Sequence, residues 1–453
     1  MSSADQTARE TALLALSACE RQGAWSDGFL KKTLRESGLD SRDAALATRL
    51  CFGVLQNRML LDFYIGKFST TRPEKMEIKV RNALRLGVYQ MAFMSKIPHN
   101  AAVNESVELT KKHCKNPRAA GMVNGVLRNV SRNIDRLPVI ESDSREEYLS
   151  IRYSHPLWLV REFTNLLGSE EAEALLEADN GQPPITAQIN ICRTTMEQTL
   201  ERLSEAGVAA QPHPWLPNCL VLTGTGNLEH LTAFREGLFY IQDPAARLAV
   251  EAADPKPGMK VLDACAAPGG KTFAAAIRMN GEGEILSCDI HAHKEKLIQA
   301  GAERLGFTCI KTAVMDGKKH RPAFENAFDL VIADVPCSGL GIIRKKPDIR
   351  YKDPEPLRGL PAVQSAILDN VATYVKPGGV LLYATCTLLE RENGDVIQGF
   401  LDRNHDFTLE KFQLPAPLGR AENGMFTFWP QRHGTDGFFI AKLRRKNGTA
   451  AAI

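Results

Sequence analysis

The sequence predicts an α/β protein in which a doubly wound, mostly parallel sheet follows an all-helical N-terminal block. From about residue 238 onwards, short β-rich stretches alternate with helical stretches, which is typical of a mostly parallel sheet with helices on both faces. Before residue 140, hydrophobic residues recur at helical spacing. The chain has 453 residues, enough for two or three domains that each have a core.

The N-terminal block, residues 1–140, is expected to be helical and basic. Its hydrophobic residues fall at helical spacing in two stretches: Leu84, Val88 and Met91, then Met122, Val126 and Val130. Pro73 and Pro98 are expected to break helices. The block contains 22 Lys and Arg against 13 Asp and Glu, and such a balance favours binding to phosphate backbones. A solvated helical surface with spare lysines is the alternative.

Two further regions and a tail complete the predicted organisation. Residues 141–235 are rich in proline, with strand-like stretches at 185–191 and 220–222, and predict a small α+β connector. Residues 236–446 predict the main sheet, and residues 447–453 a flexible tail. The strands of that sheet are expected at 260–264, 285–290, 310–314, 330–335, 380–385 and 436–441, with helices at 294–305 and 360–374.

The first strand of the main sheet runs into a glycine turn and then a helix. The turn consists of Cys265, Ala266, Ala267, Pro268, Gly269, Gly270 and Lys271. Its two glycines let the backbone turn sharply and pass close to a ligand. A phosphate-binding P-loop would need a glycine where Cys265 stands, and a G-x-G-x-x-G dinucleotide turn is absent. S-adenosylmethionine, a nucleoside sulfonium, therefore fits this turn better than either alternative.

Acidic residues end three of the predicted strands: Asp289, Asp316 and Asp334. A single Asp at a strand end is more often a helix cap or a turn former. In an open α/β sheet, however, ligands bind outside the carboxyl ends of the strands, so three acids there favour a site. Asp289 would accept hydrogen bonds from ribose hydroxyls, and Asp316 one from the amino group of adenine.

Two of the ten cysteines, Cys337 and Cys386, each follow a hydrophobic strand. They are 49 positions apart, yet the carboxyl ends of strands in one sheet face the same cleft. Their polar neighbours favour a chemical role. A free cysteine is usually a small buried hydrophobe, and we interpret four of the others in this way: Cys19, Cys51, Cys192 and Cys309.

A pair of thiols beside a methyl donor suits the methylation of a pyrimidine at carbon 5, which is a poor nucleophile. Addition of a thiolate to carbon 6 makes carbon 5 enamine-like and nucleophilic, a case of covalent catalysis. The carbon 5 proton must then leave and the thiol must be eliminated, which requires a second acid–base group. Lys271 is expected to favour the thiolate, because a nearby cation lowers the pKa of a thiol.

The segments DACAAPGGKT (263–272), DVPCS (334–338) and ATC (384–386) resemble the RNA (cytosine-5)-methyltransferases of the NOL1/NOP2/Sun family. In the helical block, GMVNGVLR (121–128) is similar to the NusB-type RNA-binding domain of one bacterial branch, which methylates 16S ribosomal RNA. The resemblance covers nearly the whole chain. It implies a class I, Rossmann-like methyltransferase domain at 236–446, a NusB-like domain at 1–140, and cytosine 967 of 16S RNA, in the standard bacterial numbering, as the target.

The resemblance also implies residue roles. Cys386 would be the nucleophile that attacks carbon 6, and Cys337 would assist release of the product. Lys271 and Asp334 would approach the target base, while Arg344 and its neighbours at 347–349 resemble a loop beside the site that contacts RNA. The residues that would bind S-adenosylmethionine are Cys265, Ala266, Ala267, Pro268, Gly269, Gly270, Lys271, Asp289, Asp316 and Asp334.

Two rival functions are weighed against this one. A DNA cytosine-5 methyltransferase would use the Pro-Cys thiol as its nucleophile and would not need a partner such as Cys386. A ribosome-assembly or transcription factor that only binds RNA would have no use for two thiols, a lysine and three acids at strand ends. The sequence therefore favours the RNA methyltransferase over both.

Composition excludes several other classes. With 44% hydrophobic and 24% charged residues, the chain is an ordinary globular protein. No apolar stretch approaches the ~18 residues of a membrane span, and no secretory signal begins the sequence. The scattered cysteines include no C-x-x-C pair, so neither a disulfide framework nor a metal site is expected. We expect a cytoplasmic monomer without membrane contact.

Overall fold

The structure is a computed structural model that describes residues 6–22 and 26–447. The described residues divide into two compact units. The helical unit contains those up to Gly181 together with Ile343–Lys352. The sheet unit contains Gln182–Ile342 and those from Asp353 onwards. Residues 448–453, most of the predicted flexible tail, lie outside the described residues.

The helical unit confirms the prediction that the N-terminal block is helical. Pro73 lies in a 3-10 turn and Pro98 directly precedes a helix, so both prolines separate helices. The hydrophobic positions at 84, 88 and 91 are buried in the core of this unit. The helices of the helical unit are α1 (Ala8–Gln22), α2 (Ser26–Ser37), α3 (Ser41–Gln56), α4 (Arg58–Phe68), α5 (Ile78–Phe93), α6 (His99–His113), α7 (Ala119–Arg132), α8 (Arg145–Tyr153), α9 (Leu157–Leu167) and α10 (Ser169–Asp179).

The helical unit extends about forty residues beyond the predicted boundary at 140. Helices α8 to α10 are short, and each buries an apolar face, for example through Leu149 of α8 and Phe163 of α9. The amide of Leu60, in the first turn of α4, donates to Ser154 Oγ at the end of α8 at 3.2 Å. Packing against α4 therefore assigns these helices to the helical unit, although they follow the predicted boundary in sequence.

The segment Ile343–Lys352 returns to the helical unit from a distant part of the sequence. Arg350 is completely buried, and the Tyr351 hydroxyl donates to the carbonyl oxygen of Leu55 at 2.8 Å. The Arg58 guanidinium lies 3.4 Å from the centroid of the Tyr351 ring. The Arg350 guanidinium donates to carbonyl oxygens of Gln56, Tyr153, Ser154 and Asp179 and to Oδ1 of Asn180. Arg344, Pro347 and Ile349, expected beside the site and in contact with RNA, are buried.

The sheet unit begins with a small antiparallel sheet that matches the predicted α+β connector. The strands expected at 185–191 and 220–222 are present. Its elements are β1 (Ile185–Ile189), α11 (Met196–Glu205), β2 (Ala209–Pro212), β3 (Cys219–Thr223), α12 (Thr232–Arg235) and β4 (Phe239–Ile241). Its strands pair in the order β2-β3-β1-β4.

The remainder of the sheet unit, which contains the main sheet and a separate two-stranded sheet, confirms the predicted doubly wound α/β fold. Its elements are α13 (Pro244–Ala253), β5 (Lys260–Asp263), α14 (Gly270–Arg278), β6 (Glu284–Asp289), α15 (Ala292–Leu305), β7 (Ile310–Val314), β8 (Phe328–Asp334), α16 (Pro354–Leu357), α17 (Leu360–Ala372), β9 (Val375–Thr385), α18 (Gly394–Arg403), β10 (Phe407–Leu409), β11 (Phe412–Gln413), β12 (Arg420–Ala421), β13 (Met425–Phe428), α19 (Pro430–His433) and β14 (Phe438–Arg445).

The strands of the main sheet pair in the order β10-β14-β9-β8-β5-β6-β7, with β13 also paired to β14. Neighbours from β9 to β7 are parallel, whereas β14 runs antiparallel to β9. Val261 contributes to the core on one face of the sheet and Leu262 to the core on the other. The order in which strands are added to the sheet reverses between β5 and β8: β6 and β7 follow on one side of β5, and β8 and β9 lie on the other. Such a reversal leaves a crevice at the carboxyl ends of β5 and β8. No helix among the described residues is both long and apolar enough to cross a membrane.

We predict that Arg350→Ala destabilises the helical unit by about 3 kcal/mol, because the hydrogen bonds from a completely buried guanidinium to five oxygen atoms are lost. Hydrogen exchange of α3 and α8, followed by mass spectrometry, measures this loss. Arg358→Ala is the control, since that side chain is 72% exposed, and it should change stability by less than about 0.5 kcal/mol. Equal protection of α3 and α8 in the two variants would contradict the role given to Arg350.

Candidate active site

The turn after β5 has a backbone that only glycine adopts easily at one position. Gly269 has φ 108°, and a Cβ there would lie 2.5 Å from the ring of Phe273. The Gly269 amide donates to the Ala266 carbonyl at 2.7 Å, and the Ala266 amide donates to the Cys288 carbonyl of β6 at 2.7 Å. These bonds fix the turn against the ends of β5 and β6, so that α14 starts at Gly270. The peptide bond that precedes Pro268 is cis.

Asp263, the last residue of β5, is completely buried beneath this turn. Its Oδ2 accepts a hydrogen bond from Thr272 Oγ1 at 2.7 Å, and the same hydroxyl lies 2.8 Å from Ser287 Oγ. Among the described residues, Oδ1 of Asp263 has no hydrogen-bond partner. Burial raises the pKa of Asp263 from 3.8 to about 7, although the Thr272 bond and the Lys271 charge oppose the rise.

Lys271 and Asp334 form an ion pair across the crevice between β5 and β8. Lys271 Nζ donates to Asp334 Oδ2 at 2.6 Å and also lies 4.7 Å from the centroid of the Phe438 ring. The lysine side chain is 8% exposed and the aspartate side chain 28%. The carboxylate is thus the member of the pair that a ligand in the crevice reaches more easily.

The other two acids predicted at strand ends lie where expected. Asp289 ends β6, and its Oδ1 accepts a hydrogen bond from the His291 amide at 3.0 Å. Asp316 follows β7, and its Oδ1 accepts one from the Lys318 amide at 3.0 Å. Each acid therefore stabilises a turn through one oxygen. This is the role of a helix cap or turn former that was the alternative to ligand binding. Next to Asp289, the side chain of Ile290 is 51% exposed, an apolar surface that sequence reasoning missed.

The structure brings Cys337 and Cys386 together. Asp334 of β8 pairs with Ala384 of β9 in parallel register, so the chain segments that follow both strands leave the sheet side by side. The two Sγ atoms are 3.3 Å apart, and both thiols are free and partly exposed. The Gly341 amide donates to the Cys386 carbonyl at 2.9 Å, which ties the segment after Cys337 to the segment of Cys386.

The strongest influences on Cys337 are the other thiol and burial. The hydrogen bond with Cys386, followed by burial, raises the pKa of Cys337 well above its ordinary value. Lys271 is paired with Asp334, and its expected effect on the thiolate stays a prediction. Cys192 departs from its interpretation as a buried hydrophobe, since it is exposed.

Sequence reasoning missed the polar residues that hold the two thiol segments. Glu392 and Asn393 follow Cys386 by six and seven positions and are buried beside both segments. In sequence they read as an ordinary start of α18, because acidic residues and Asn are common at helix N-termini. Two buried polar residues in a row, each without an obvious local partner, are the signal that could have identified them.

Comparisons with known proteins assign the family. The family model "16S rRNA methyltransferase RsmB/F" matches residues 250–444, the NusB family model matches 6–132, and a ferredoxin-like domain of RsmF/B-like proteins matches 155–229. A probable ribosomal RNA small subunit methyltransferase B of Bacillus subtilis is 37% identical over 97% of this chain and 98% of that protein. A protein of the same description in Synechocystis is 33% identical, over 97% and 99%.

Solved structures agree with this assignment. A structure described as PH0851 has a TM-score of 0.81 and 25% identity, and the match covers 98% of this chain and all of that one. A methyltransferase homologue from Pyrococcus horikoshii has a TM-score of 0.58 and 28% identity over 67% of this chain and all of that one. The chain therefore belongs to the RsmB/F family of methyltransferases, and the predicted family and methyltransferase fold are confirmed.

The raised pKa of Asp263 makes stability fall with rising pH. Between about pH 4 and pH 7 the folded chain keeps a proton that the unfolded chain has lost, so folding is favoured most at the acidic end. We predict that Asp263→Asn, which is neutral and still accepts from Thr272, has a flatter profile of unfolding free energy over this range. Urea titrations at about pH 5 and pH 8 measure the unfolding free energy of both proteins at the two pH values. Parallel profiles for the two proteins would show that Asp263 does not carry this proton.

Proposed function

We propose that this chain methylates carbon 5 of cytosine 967 in 16S ribosomal RNA, with S-adenosylmethionine as donor and a covalent Cys386–cytosine adduct as intermediate. The observation that carries the proposal is the pair of free thiols 3.3 Å apart at the carboxyl ends of β8 and β9. The Lys271–Asp334 pair lies at the same edge of the sheet. A protein that only bound RNA would not require this arrangement.

The crevice residues fit S-adenosylmethionine. The ligand carries a sulfonium cation, and the crevice supplies the carboxyl groups of Asp289 and Asp334. Oδ1 of Asp289 accepts a hydrogen bond from the His291 amide at 3.0 Å, and we assign Oδ2 of the same carboxylate to the ligand. In the proposed mode, the ribose hydroxyls donate to Asp289 and the adenine packs against Ile290. The turn at 265–271 contacts the remainder of S-adenosylmethionine, and Asp316 lies near the amino group of its adenine.

The Asp289 carboxylate gives the first test of this mode. Asp289→Ala removes a charge-assisted hydrogen bond of about 1.5–3 kcal/mol, and we predict a rise of at least about tenfold in the dissociation constant of S-adenosylmethionine. Isothermal titration calorimetry measures it. Asp289→Asn is the matched variant, since it keeps an acceptor for the His291 amide and loses only the charge, so its affinity should lie in between. An affinity of Asp289→Ala within about twofold of the unaltered chain would rule the role out.

The two thiols act in sequence in the proposed reaction. The Cys386 thiolate adds to carbon 6, forming an S–C bond and making carbon 5 nucleophilic. When bound, S-adenosylmethionine would supply the electrophilic methyl group for carbon 5, its S–CH3 bond breaking to leave S-adenosylhomocysteine. Loss of the carbon 5 proton to a base and cleavage of the S–C6 bond then restore the aromatic ring. The Sγ atoms of Cys337 and Cys386 are 3.3 Å apart, so Cys337 is close enough to return a proton to the departing sulfur of Cys386.

Asp334 is the residue we propose to distinguish cytosine from uracil. The exocyclic amino group of cytosine is a hydrogen-bond donor, and an aspartate is a suitable acceptor for it. Lys271 holds one carboxylate oxygen of Asp334, which fixes the direction of the other. Uracil presents a carbonyl oxygen at the same position, and that oxygen would be repelled.

We propose that the helical unit contributes affinity for RNA. On α7, Arg128 and Arg132 are exposed. They line a surface depression together with Asn100, Asn104 and Ser131. Basic and amide side chains on one surface are the groups that contact a phosphate backbone. The match to the NusB family over residues 6–132 supports the same role.

The unequal roles of the thiols lead to opposite results in single variants. Each variant is incubated with S-adenosylmethionine and a labelled 16S RNA fragment, then analysed on a denaturing gel. We predict a slowly migrating covalent band for Cys337→Ala, because addition proceeds while elimination is slow. For Cys386→Ala we predict neither a band nor methylation, because addition cannot begin.

The controls test two points separately: which nucleotide is methylated, and which thiol is the nucleophile. A fragment that carries adenine at position 967, otherwise identical, should give no band with Cys337→Ala, and a band would show that another nucleotide is the target. A band with Cys386→Ala and none with Cys337→Ala would make Cys337 the nucleophile. Full methylation by both variants, without a band, would end the case for covalent catalysis.

A further inference from the structure

Two adjacent residues that do not take part in the proposed reaction lie beneath the thiols. Glu392 ends a 3-10 turn, Glu390–Glu392, and Asn393 precedes α18. Their exposed fractions are 0% and 1%. Buried carboxyl and amide groups are retained only where they make specific hydrogen bonds, and each of these two has partners on a different thiol segment.

Glu392 holds the segment that carries Cys337. Its Oε2 accepts a hydrogen bond from the Ser338 amide, one residue after the thiol, at 2.9 Å. The same oxygen accepts a bond from Gln364 Nε2 at 2.9 Å, and that nitrogen also donates to the Pro336 carbonyl at 3.0 Å. Glu392 thus fixes the backbone on both sides of Cys337, directly on one side and through Gln364 on the other.

Asn393 does the same for Cys386. Its Oδ1 accepts a hydrogen bond from Thr385 Oγ1 at 2.6 Å, and its Nδ2 donates to the Thr387 carbonyl at 3.1 Å. The two partners are the residues immediately before and after Cys386. A single amide side chain therefore spans the nucleophile's segment with both of its polar atoms.

We infer that Glu392 and Asn393 are positioning residues that each act mainly on one thiol, Glu392 on Cys337 and Asn393 on Cys386. The inference rests on the proposed function for the roles of the thiols. Neither side chain is proposed to contact the RNA or the methyl donor. Their adjacency places both supports on one short turn, so a single rigid element aligns the group that adds and the group that assists elimination.

This arrangement predicts that substitutions of Asn393 and Glu392 slow different steps of the reaction. Loss of the Asn393 side chain should slow formation of the covalent adduct, whereas loss of the Glu392 side chain should slow its breakdown. The two segments are also joined to each other by the Ser338 and Thr387 hydroxyls, 2.7 Å apart. Each substitution should therefore disturb the other step too, but less.

The experiment measures adduct formation and decay in full-length Asn393→Ala and Glu392→Ala by rapid quench and denaturing gel. For Asn393→Ala we expect formation at least about tenfold slower, the effect of losing buried hydrogen bonds, without accumulation of adduct. For Glu392→Ala we expect near-normal formation and at least about tenfold slower decay, so that adduct accumulates as for Cys337→Ala. Glu392→Gln keeps an acceptor for the Ser338 amide and should restore decay.

The control is Asn190→Ala, a buried residue whose amide donates to the carbonyls of Gly237 and Leu305 away from the site. It should lower stability without separating the steps. A parallel measurement needs no RNA: alkylation of each thiol by iodoacetamide, followed by peptide mass spectrometry. There we expect Asn393→Ala to change the rate mainly at Cys386 and Glu392→Ala mainly at Cys337.

The two measurements distinguish the inference from the proposed function. If no variant forms an adduct but alkylation is selective, covalent catalysis fails and the positioning roles stand. If Asn393→Ala and Glu392→Ala change both steps and both thiols to the same extent, as Asn190→Ala does, these positioning roles are overturned.

Discussion

The parallel pairing of β8 with β9 is the constraint on which the site depends. Its register, Asp334 opposite Ala384, determines that the two chain segments leave the sheet at the same level and about one strand spacing, ~4.8 Å, apart. Two side chains that follow such neighbours can touch, and the thiols do so at 3.3 Å. On the other side of β9, the antiparallel β14 brings Phe438 against Lys271. A slip of one residue between β8 and β9 would separate all of these groups.

The crevice is also acidic, because carboxyl groups outnumber cations there. Three carboxyl groups, of Asp263, Asp289 and Asp334, converge at the ends of β5, β6 and β8, and Lys271 is paired with Asp334. Their mutual repulsion is one reason, after burial, why the pKa of Asp263 is raised. An acidic crevice with one internal cation attracts a positively charged ligand and disfavours a nucleoside triphosphate. This agrees with the absence of a complete phosphate-binding turn in the sequence.

Much of the fold could be predicted because its signals are local. Strand–helix alternation identified β5 to β9, and the strand ends identified the acids and both thiols. Two features could not be predicted, because they depend on contacts between residues far apart in sequence. The burial of Arg350 requires carbonyl groups some 170 to 290 residues away. The role of Glu392 follows from a bond to Ser338, 54 positions earlier.

The return of Ile343–Lys352 to the helical unit has a consequence for synthesis of the protein. A ribosome completes α1 to α10 long before it adds this segment, so the nascent helical unit lacks Arg350 and Tyr351 while β5 to β8 are being made. Until then, the carbonyl oxygens of Gln56 and Ser154 lack the donor that Arg350 supplies. The helical unit therefore reaches its final form after much of the sheet has been synthesised, and the order of translation differs from the order in which the two units are completed.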